Sequence, residues 1–271
     1  MNNTPCDIAF TRLTLKAAIQ SAEILDRDAE LVKEWKGALA MVPDYPIVPG
    51  SNPPIISDIE GGQPITYNVA VPVIPVFPAG EVNWWSPEAQ KKIFADTIEK
   101  LSWTSYNSTM IMAGARARLS MPGTHQWITD AFKQRQMPNG YLMMLGGGYG
   151  KDYSGNFSEQ VAAAGIVSEM LMQSVGGVIR VFPAWPKTLD GKFADLSAEG
   201  GFLVSAEQKD GQVVKLDITS TAGGRLQVLN PWPGKTVRIN KGWLGKTVKP
   251  DAQGVITLET RPGETVSFNV K

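Results

Sequence analysis

Chemistry in this sequence has to come from carboxylates, amides, hydroxyls and indoles. There is one histidine, His125, and one cysteine, Cys6. An intrachain disulfide and a zinc site of the usual Cys/His kind are therefore excluded. A calcium site made only of carboxylates stays open, but no pattern in the chain asks for a metal or an organic cofactor. His125 has Asp130 within reach along the chain and no nucleophile beside it, so a surface helix histidine is the simpler reading. The densest run of polar groups follows Gly146-Gly147-Gly148-Tyr149-Gly150: Asp152, Tyr153 and Asn156, with Glu159 just beyond. This glycine run lacks a following Lys-Ser/Thr pair and does not follow a clear strand. It reads as a site loop rather than a phosphate cradle. Indoles add a second theme, eight in the chain. Trp84, Trp85 and Trp103 lie near expected helix ends, where they either stack on sugar faces or fill the core. Asn107, opening an expected helix, faces either a cleft or solvent.

The elements that must position these residues fall into two parts. Residues 8–25 carry apolar side chains at helical spacing, with Asp7 expected to cap the first turn. Asp28 is expected to cap a second helix through Trp35 and Leu39, and a link this short predicts an antiparallel hairpin. A long Pro-rich segment over 43–85 follows, the kind of loop that often lines a site. Ser86 with Pro87 predicts a third helix running to Leu101. A fourth covers 105–119, a fifth 124–136 and a sixth 158–174, the last stopped by Gly176-Gly177. The period then changes from helical to two. Residues 178–182 read as a strand, and 202–208 with 212–219 flank Lys209-Asp210-Gly211, a hairpin signal. Short strands follow at 226–229, 236–239, 255–259 and 265–270. The pattern predicts a mainly α domain over 1–177 and an all-β domain over 178–271 with the spacing of an antiparallel β-sandwich.

Composition narrows the function classes. Twenty-six basic residues balance 26 acidic ones, which excludes the broad basic field of a non-specific nucleic-acid binder. The most apolar stretch, 69–82, is broken by Pro72, Pro75 and Pro78, so no membrane partner is expected. Residues 1–25 contain Asp7, Arg12, Lys16 and Glu23 and lack the apolar core of a signal peptide.

Four motifs occur in order between Glu169 and Gly211. Glu169-Met170-Leu171-Met172-Gln173-Ser174 closes the sixth helix. Gly177-Val178-Ile179-Arg180-Val181-Phe182-Pro183-Ala184-Trp185-Pro186 follows. Leu196-Ser197-Ala198-Glu199-Gly200-Gly201-Phe202-Leu203-Val204 and Lys209-Asp210-Gly211 complete the set. This order resembles glycoside hydrolase family 95 where its catalytic barrel passes into its C-terminal β-domain. Pro43-Asp44-Tyr45 and Val76-Phe77-Pro78-Ala79-Gly80-Glu81 are similar to looser features of the family. The resemblance implies the C-terminal half of an (α/α)6 barrel, six helices where the family has twelve, followed by a β-sandwich, in a divergent member. It implies an inverting hydrolase acting on terminal α-L-fucosyl or α-L-galactosyl residues of an oligosaccharide or polysaccharide, without cofactor. It also implies a partner, either an N-terminal half-barrel segment or a second copy. Relatives are usually periplasmic or secreted, which the missing signal peptide leaves open here.

Inversion needs a general acid and a general base about 6.5–9.5 Å apart. The family's acid lies upstream of the matched region, and its base is an Asp in a D-G-N-F segment. Anchoring on Gly155-Asn156-Phe157 puts Ser154 at that position with Asp152 nearby. Anchoring on Glu169 puts Ser158 there, beside Glu159. Serine is not a general base at neutral pH without its own activator. The resemblance therefore implies Glu159 or Asp152 as catalytic residue, with Trp103, Asn107, Tyr149 and Asn156 as substrate contacts. For Glu159 the competing reading is a first-turn carboxylate that favours the helix N-terminus.

Overall fold

The computed structural model describes residues 3–62, 70–101, 108–142, 157–241 and 244–270. Among these residues six α-helices precede ten β-strands, an α plus β arrangement. It divides into two compact units, one of residues 1–121 and 126–163, the other of residues 122–125 and 164–271.

In the first unit, helix α1 (Pro5–Leu25) starts one turn earlier than expected. Its N-cap is Thr4, whose Oγ1 accepts the Asp7 N–H at 3.1 Å. Asp7 is therefore not the cap. It lies in the first turn, where its carboxylate accepts the Thr4 hydroxyl at 2.8 Å and favours the helix N-terminus. Asp26 ends the helix in the left-handed region, its N–H directed at the carbonyls of Ala22 and Glu23. Asp28 occupies the N-cap position of α2 (Ala29–Met41), but at φ 57° it makes no side-chain cap bond. The two helices run antiparallel: Lys36 meets Glu23 at 2.7 Å, and Arg12 reaches the Pro43 carbonyl at 2.9 Å.

The described parts of the long Pro-rich segment contribute to the core. Tyr45, Ile56, Ala70, Val73, Val76 and Val82 are buried with Ile8, Phe94, Ile98 and Met112. Backbone buried in this way needs partners. Thr97 supplies one, its Oγ1 accepting the Ile56 N–H at 2.9 Å while donating to the Ile93 carbonyl at 2.7 Å. Helix α3 (Glu88–Lys100) begins one residue later than expected, with Pro87 as N-cap at ψ 140°. Ser86 does not cap it; its Oγ accepts the Asn83 N–H instead. Helix α4 (Ser108–Arg118) presents Gly114 to the Phe77 ring, where an added Cβ would stand 2.5 Å from the ring carbons. The nearly buried Arg116 pairs with Glu99 at 2.9 Å and lies over Trp127. Trp127 belongs to α5 (Thr124–Arg135).

Helix α6 (Phe157–Leu171) stops three residues before the expected end. The reason is local. Strand β1 (Met172–Gln173) pairs antiparallel with β2 (Arg180–Val181). The helix's last carbonyls are taken by the returning chain: Phe182 N–H donates to Leu171 O at 2.6 Å, and Ala184 N–H to Met170 O at 3.3 Å. Orphan carbonyls satisfied in this way end a helix without a glycine cap.

The second unit holds an antiparallel six-stranded sheet in the order β3 (Gly191–Ala198), β4 (Phe202–Lys209), β5 (Gln212–Ser220), β10 (Thr265–Val270), β7 (Val237–Lys241), β8 (Leu244–Val248). Strands β6 (Gly224–Leu229) and β9 (Val255–Thr260) pair separately. Alternation puts Val204, Ala206, Leu216, Ile218, Val266 and Phe268 into one core with Leu226, Val228 and Ile256 of the two-stranded pair. Lys209 pairs with Gln212 across Asp210 and Gly211, both at positive φ (48° and 72°), the backbone of a type I′ hairpin.

Candidate functional site

Most of the residues expected to form the site lie outside the described residues: Asp152, Trp103, Asn107, Tyr149 and Asn156. Glu159 stands in the first turn of α6, with its side chain outside that description. What the structure shows is how the segments bearing them are anchored. Leu142, the last described residue before the 143–156 segment, is buried and bridged to Gln136. Gln160 Nε2 donates to the Leu142 carbonyl at 3.0 Å. Leu142 and Gln160, described residues on either side of the glycine-rich segment, are thus joined. Residues 102–107 link the end of α3 to the start of α4.

Two polar clusters are fully described. The first joins α1 to the Pro-rich segment. Lys16 Nζ contacts both carboxylate oxygens of Glu81 at 3.0 Å, and Arg12 lies 3.9 Å from the same carboxylate. Arg12 also lies 5.0 Å from the centroid of the Tyr45 ring. Burial pushes the Tyr45 phenol above its ordinary value, the Glu81 charge adds to this, and Arg12 partly offsets it. Glu81, faced by two cations, ties α1 to the Pro-rich segment at this corner. Nothing local in the chain marks this cluster, because Arg12 and Glu81 are 69 residues apart.

The second cluster is the Glu169 to Arg180 motif region. Gln173, 3% exposed, donates through Nε2 to the Glu169 carbonyl at 2.9 Å. Its Oε1 accepts from Arg180 Nη1 at 3.2 Å. Burial lowers the Arg180 guanidinium to about 10, still charged at neutral pH. Ser174 Oγ accepts the Glu199 N–H at 3.0 Å, and Glu199 Oε2 accepts the Gly177 N–H at 3.1 Å. The motif's polar residues therefore fasten the end of α6 to the strands that follow.

His125 lies edge-on to Trp185, with ring centroids 5.8 Å apart. Trp84 and Trp85 stack on each other at 4.0 Å, and Trp85 is 40% exposed. Among the described residues no three His, Cys, Asp or Glu side chains converge as a metal site, and no helix is long and apolar enough to cross a membrane.

The chain is thus an α plus β protein whose sixth helix is tied through Gln173 and Arg180 to the strands that follow. Residues 173–268 match the family model described as glycoside hydrolase family 95, C-terminal domain. The match begins at Gln173 and ends inside β10, so the β-unit is the part of the chain that carries the similarity. No curated protein matches the sequence. Among solved structures, the chain is similar to Ara127N-Se, a GH127 β-L-arabinofuranosidase from Geobacillus stearothermophilus T6, at 12% identity and a TM-score of 0.26. That likeness covers 60% of this chain and 30% of the other. At that score it carries no argument about fold or activity.

Proposed function

We propose that the chain is the C-terminal portion of a divergent glycoside hydrolase of the family 95 kind. It would cleave terminal α-L-fucosyl or α-L-galactosyl residues from oligosaccharides with inversion. The observation that carries this reading is the family match over residues 173–268, joined at its first residue to α6 by the Gln173 bonds to Glu169 and Arg180. On this reading the six helices are half of an (α/α)6 barrel, and the sheets pack as a β-sandwich. Asp152 or Glu159 assists attack by water, and the general acid comes from an N-terminal half-barrel segment or a second copy. Trp103, Asn107, Tyr149 and Asn156 contact the sugar. Exposed apolar side chains on the α1–α2 hairpin, among them Ile24 at 74% and Met41 at 80%, are in keeping with a missing helical neighbour.

One sequence feature favours a second reading, a carbohydrate-binding or scaffold protein derived from that family: a serine, Ser154 or Ser158, stands where the family carries its base. An NMR assay with fucosylated and galactosylated oligosaccharides separates the two. Release of the β-anomer first, from the chain alone or with its complementing half, supports the hydrolase. Line broadening of the sugar without release supports the binding protein. Neither effect under either condition would overturn both.

A further inference from the structure

The second unit has a cleft of about 660 Å³ away from the α6 junction, at the corner where β7 and β8 face β9. Strand register explains its lining. Ile239, 3% exposed, pairs with Lys246, and residues opposite one another share a face. Lys246 therefore projects from the edge strand β8 on the core side of the sheet, and Lys241, two residues beyond Ile239, does the same. From the other pair, Leu258 lies two residues past the buried Ile256 and supplies the facing apolar wall. The turn between β9 and β10 closes the corner with Arg261 and Glu264.

The charges in this corner are not all spent on one another. Lys241 Nζ donates to the Glu259 carbonyl and to Glu264 Oε2 at 3.0 Å, and Glu264 Oε2 also accepts the Arg261 N–H at 3.1 Å. Lys241 and Glu264 thus neutralise each other. The exposed side chains of Lys246 and Arg261 make no hydrogen bond or ion pair among the described residues. Of the acidic lining, Glu259 alternates with Leu258 and Thr260 and so projects to the outer face. The Arg261 charge also acts on Glu264, so three cations (Lys241, Lys246 and Arg261) face that one inward carboxylate, and a net positive corner beside an apolar wall suits a ligand that has both a carboxylate and a C–H face.

We infer that this cleft is a second glycan site that takes a carboxylate-bearing sugar, a uronic acid residue of an acidic oligosaccharide. The carboxylate lies between Lys246 and Arg261, and the C–H face of the ring rests on Leu258. The inference rests on the carbohydrate reading above and extends it to a position that takes no part in hydrolysis. An inward-pointing lysine on an edge strand also blocks edge-to-edge pairing, and the test must tell that role from binding.

The test is an amide-shift NMR titration of the full chain with trigalacturonate, with a neutral galactose trisaccharide and with tricarballylate. Trigalacturonate is expected to shift the amides of Gly245 and Glu264, with an affinity that falls as salt is raised. Lys246→Gln and Arg261→Gln, both at exposed positions, should each weaken it about tenfold or more. Equal binding of the neutral trisaccharide would remove the role given to charge while leaving the carbohydrate reading intact. Equal binding of tricarballylate would reduce the cleft to an anion site and overturn its assignment to sugar. Unchanged amides with all three, or unchanged affinity in both variants, would overturn the site whatever the hydrolysis assay shows.

Discussion

Arg180 Nη1 donates to Gln173 Oε1 over 3.2 Å, across the short strand pair that follows α6, while Gln173 Nε2 reaches back to the helix at Glu169 O. One amide thus uses both its ends to connect a helix terminus with a buried guanidinium. The residue doing so is the first one inside the family match.

Replacing that amide removes both bonds at once. Gln173→Leu is of similar size but takes one acceptor away from Arg180 in a desolvated place. A hydrogen bond to a charged group contributes about 1.5–3 kcal/mol, so a loss of about 2 kcal/mol is expected. Urea unfolding followed by tryptophan fluorescence measures it. An unchanged midpoint would mean that Arg180 draws its support from elsewhere.

Gly114 offers a steric prediction. A Cβ there would stand 2.5 Å from the Phe77 ring, and the ring is also covered by Arg118 at 4.9 Å. Gly114→Ala in a helix would ordinarily stabilise it by up to about 1 kcal/mol. Here overpacking of about 1–3 kcal/mol is expected to win. Thermal melts of Gly114→Ala, Phe77→Leu and the double variant should show the alanine harmful with Phe77 and harmless with leucine. Equal cost in both backgrounds would place the strain elsewhere.

The fold was legible where local chemistry decides it, and less so where distant backbone does. Asp210-Gly211 announces its own hairpin because positive φ is cheap there. Alternation over 202–208 marks the core face of a strand. The end of α6 was not legible: the apolar period continues through Met170 and Met172, whereas the stop is set by N–H groups of Phe182 and Ala184 arriving from eleven and fourteen residues on. Strand β8 went unnoticed because Gly245 and Lys246 break the apolar alternation. Of the candidate site, the sequence could name residue types in the 146–159 segment but not which carboxylate turns inward. No periodicity governs a glycine-rich loop, and Arg12, Tyr45 and Glu81 meet only through the tertiary fold.

Tyr45 gives the pH dependence a definite sign. Its phenol is buried and its ionisation is shifted upward, chiefly by burial and then by Glu81. The folded state therefore keeps a proton that the unfolded state releases near pH 10. Stability from this group is intact below that pH and is lost as pH rises through the interval up to the folded value. Tyr45→Phe should flatten the decline of unfolding free energy between about pH 9.5 and 11, and the wild type should show a late tyrosinate absorbance rise at 295 nm. Parallel curves for both proteins would assign alkaline unfolding to other groups.

The catalytic assignment turns on two carboxylates in adjoining positions, one in the 143–156 segment and one in the first turn of α6. A general base contributes about 10²–10⁴-fold to turnover. In an enzyme reassembled with its N-terminal half, Glu159→Gln is expected to lower kcat by that factor if Glu159 activates the water, and Asp152→Asn to do so if Asp152 does. The unused carboxylate should change kcat by less than about threefold, since surface electrostatics alone are weak. The pH profile distinguishes a base from a prop: loss of the base removes the acidic limb of kcat/KM, whereas a lost helix-terminus charge leaves the limb and lowers only stability. Full activity in both variants would take the base out of this chain and assign it to the N-terminal half.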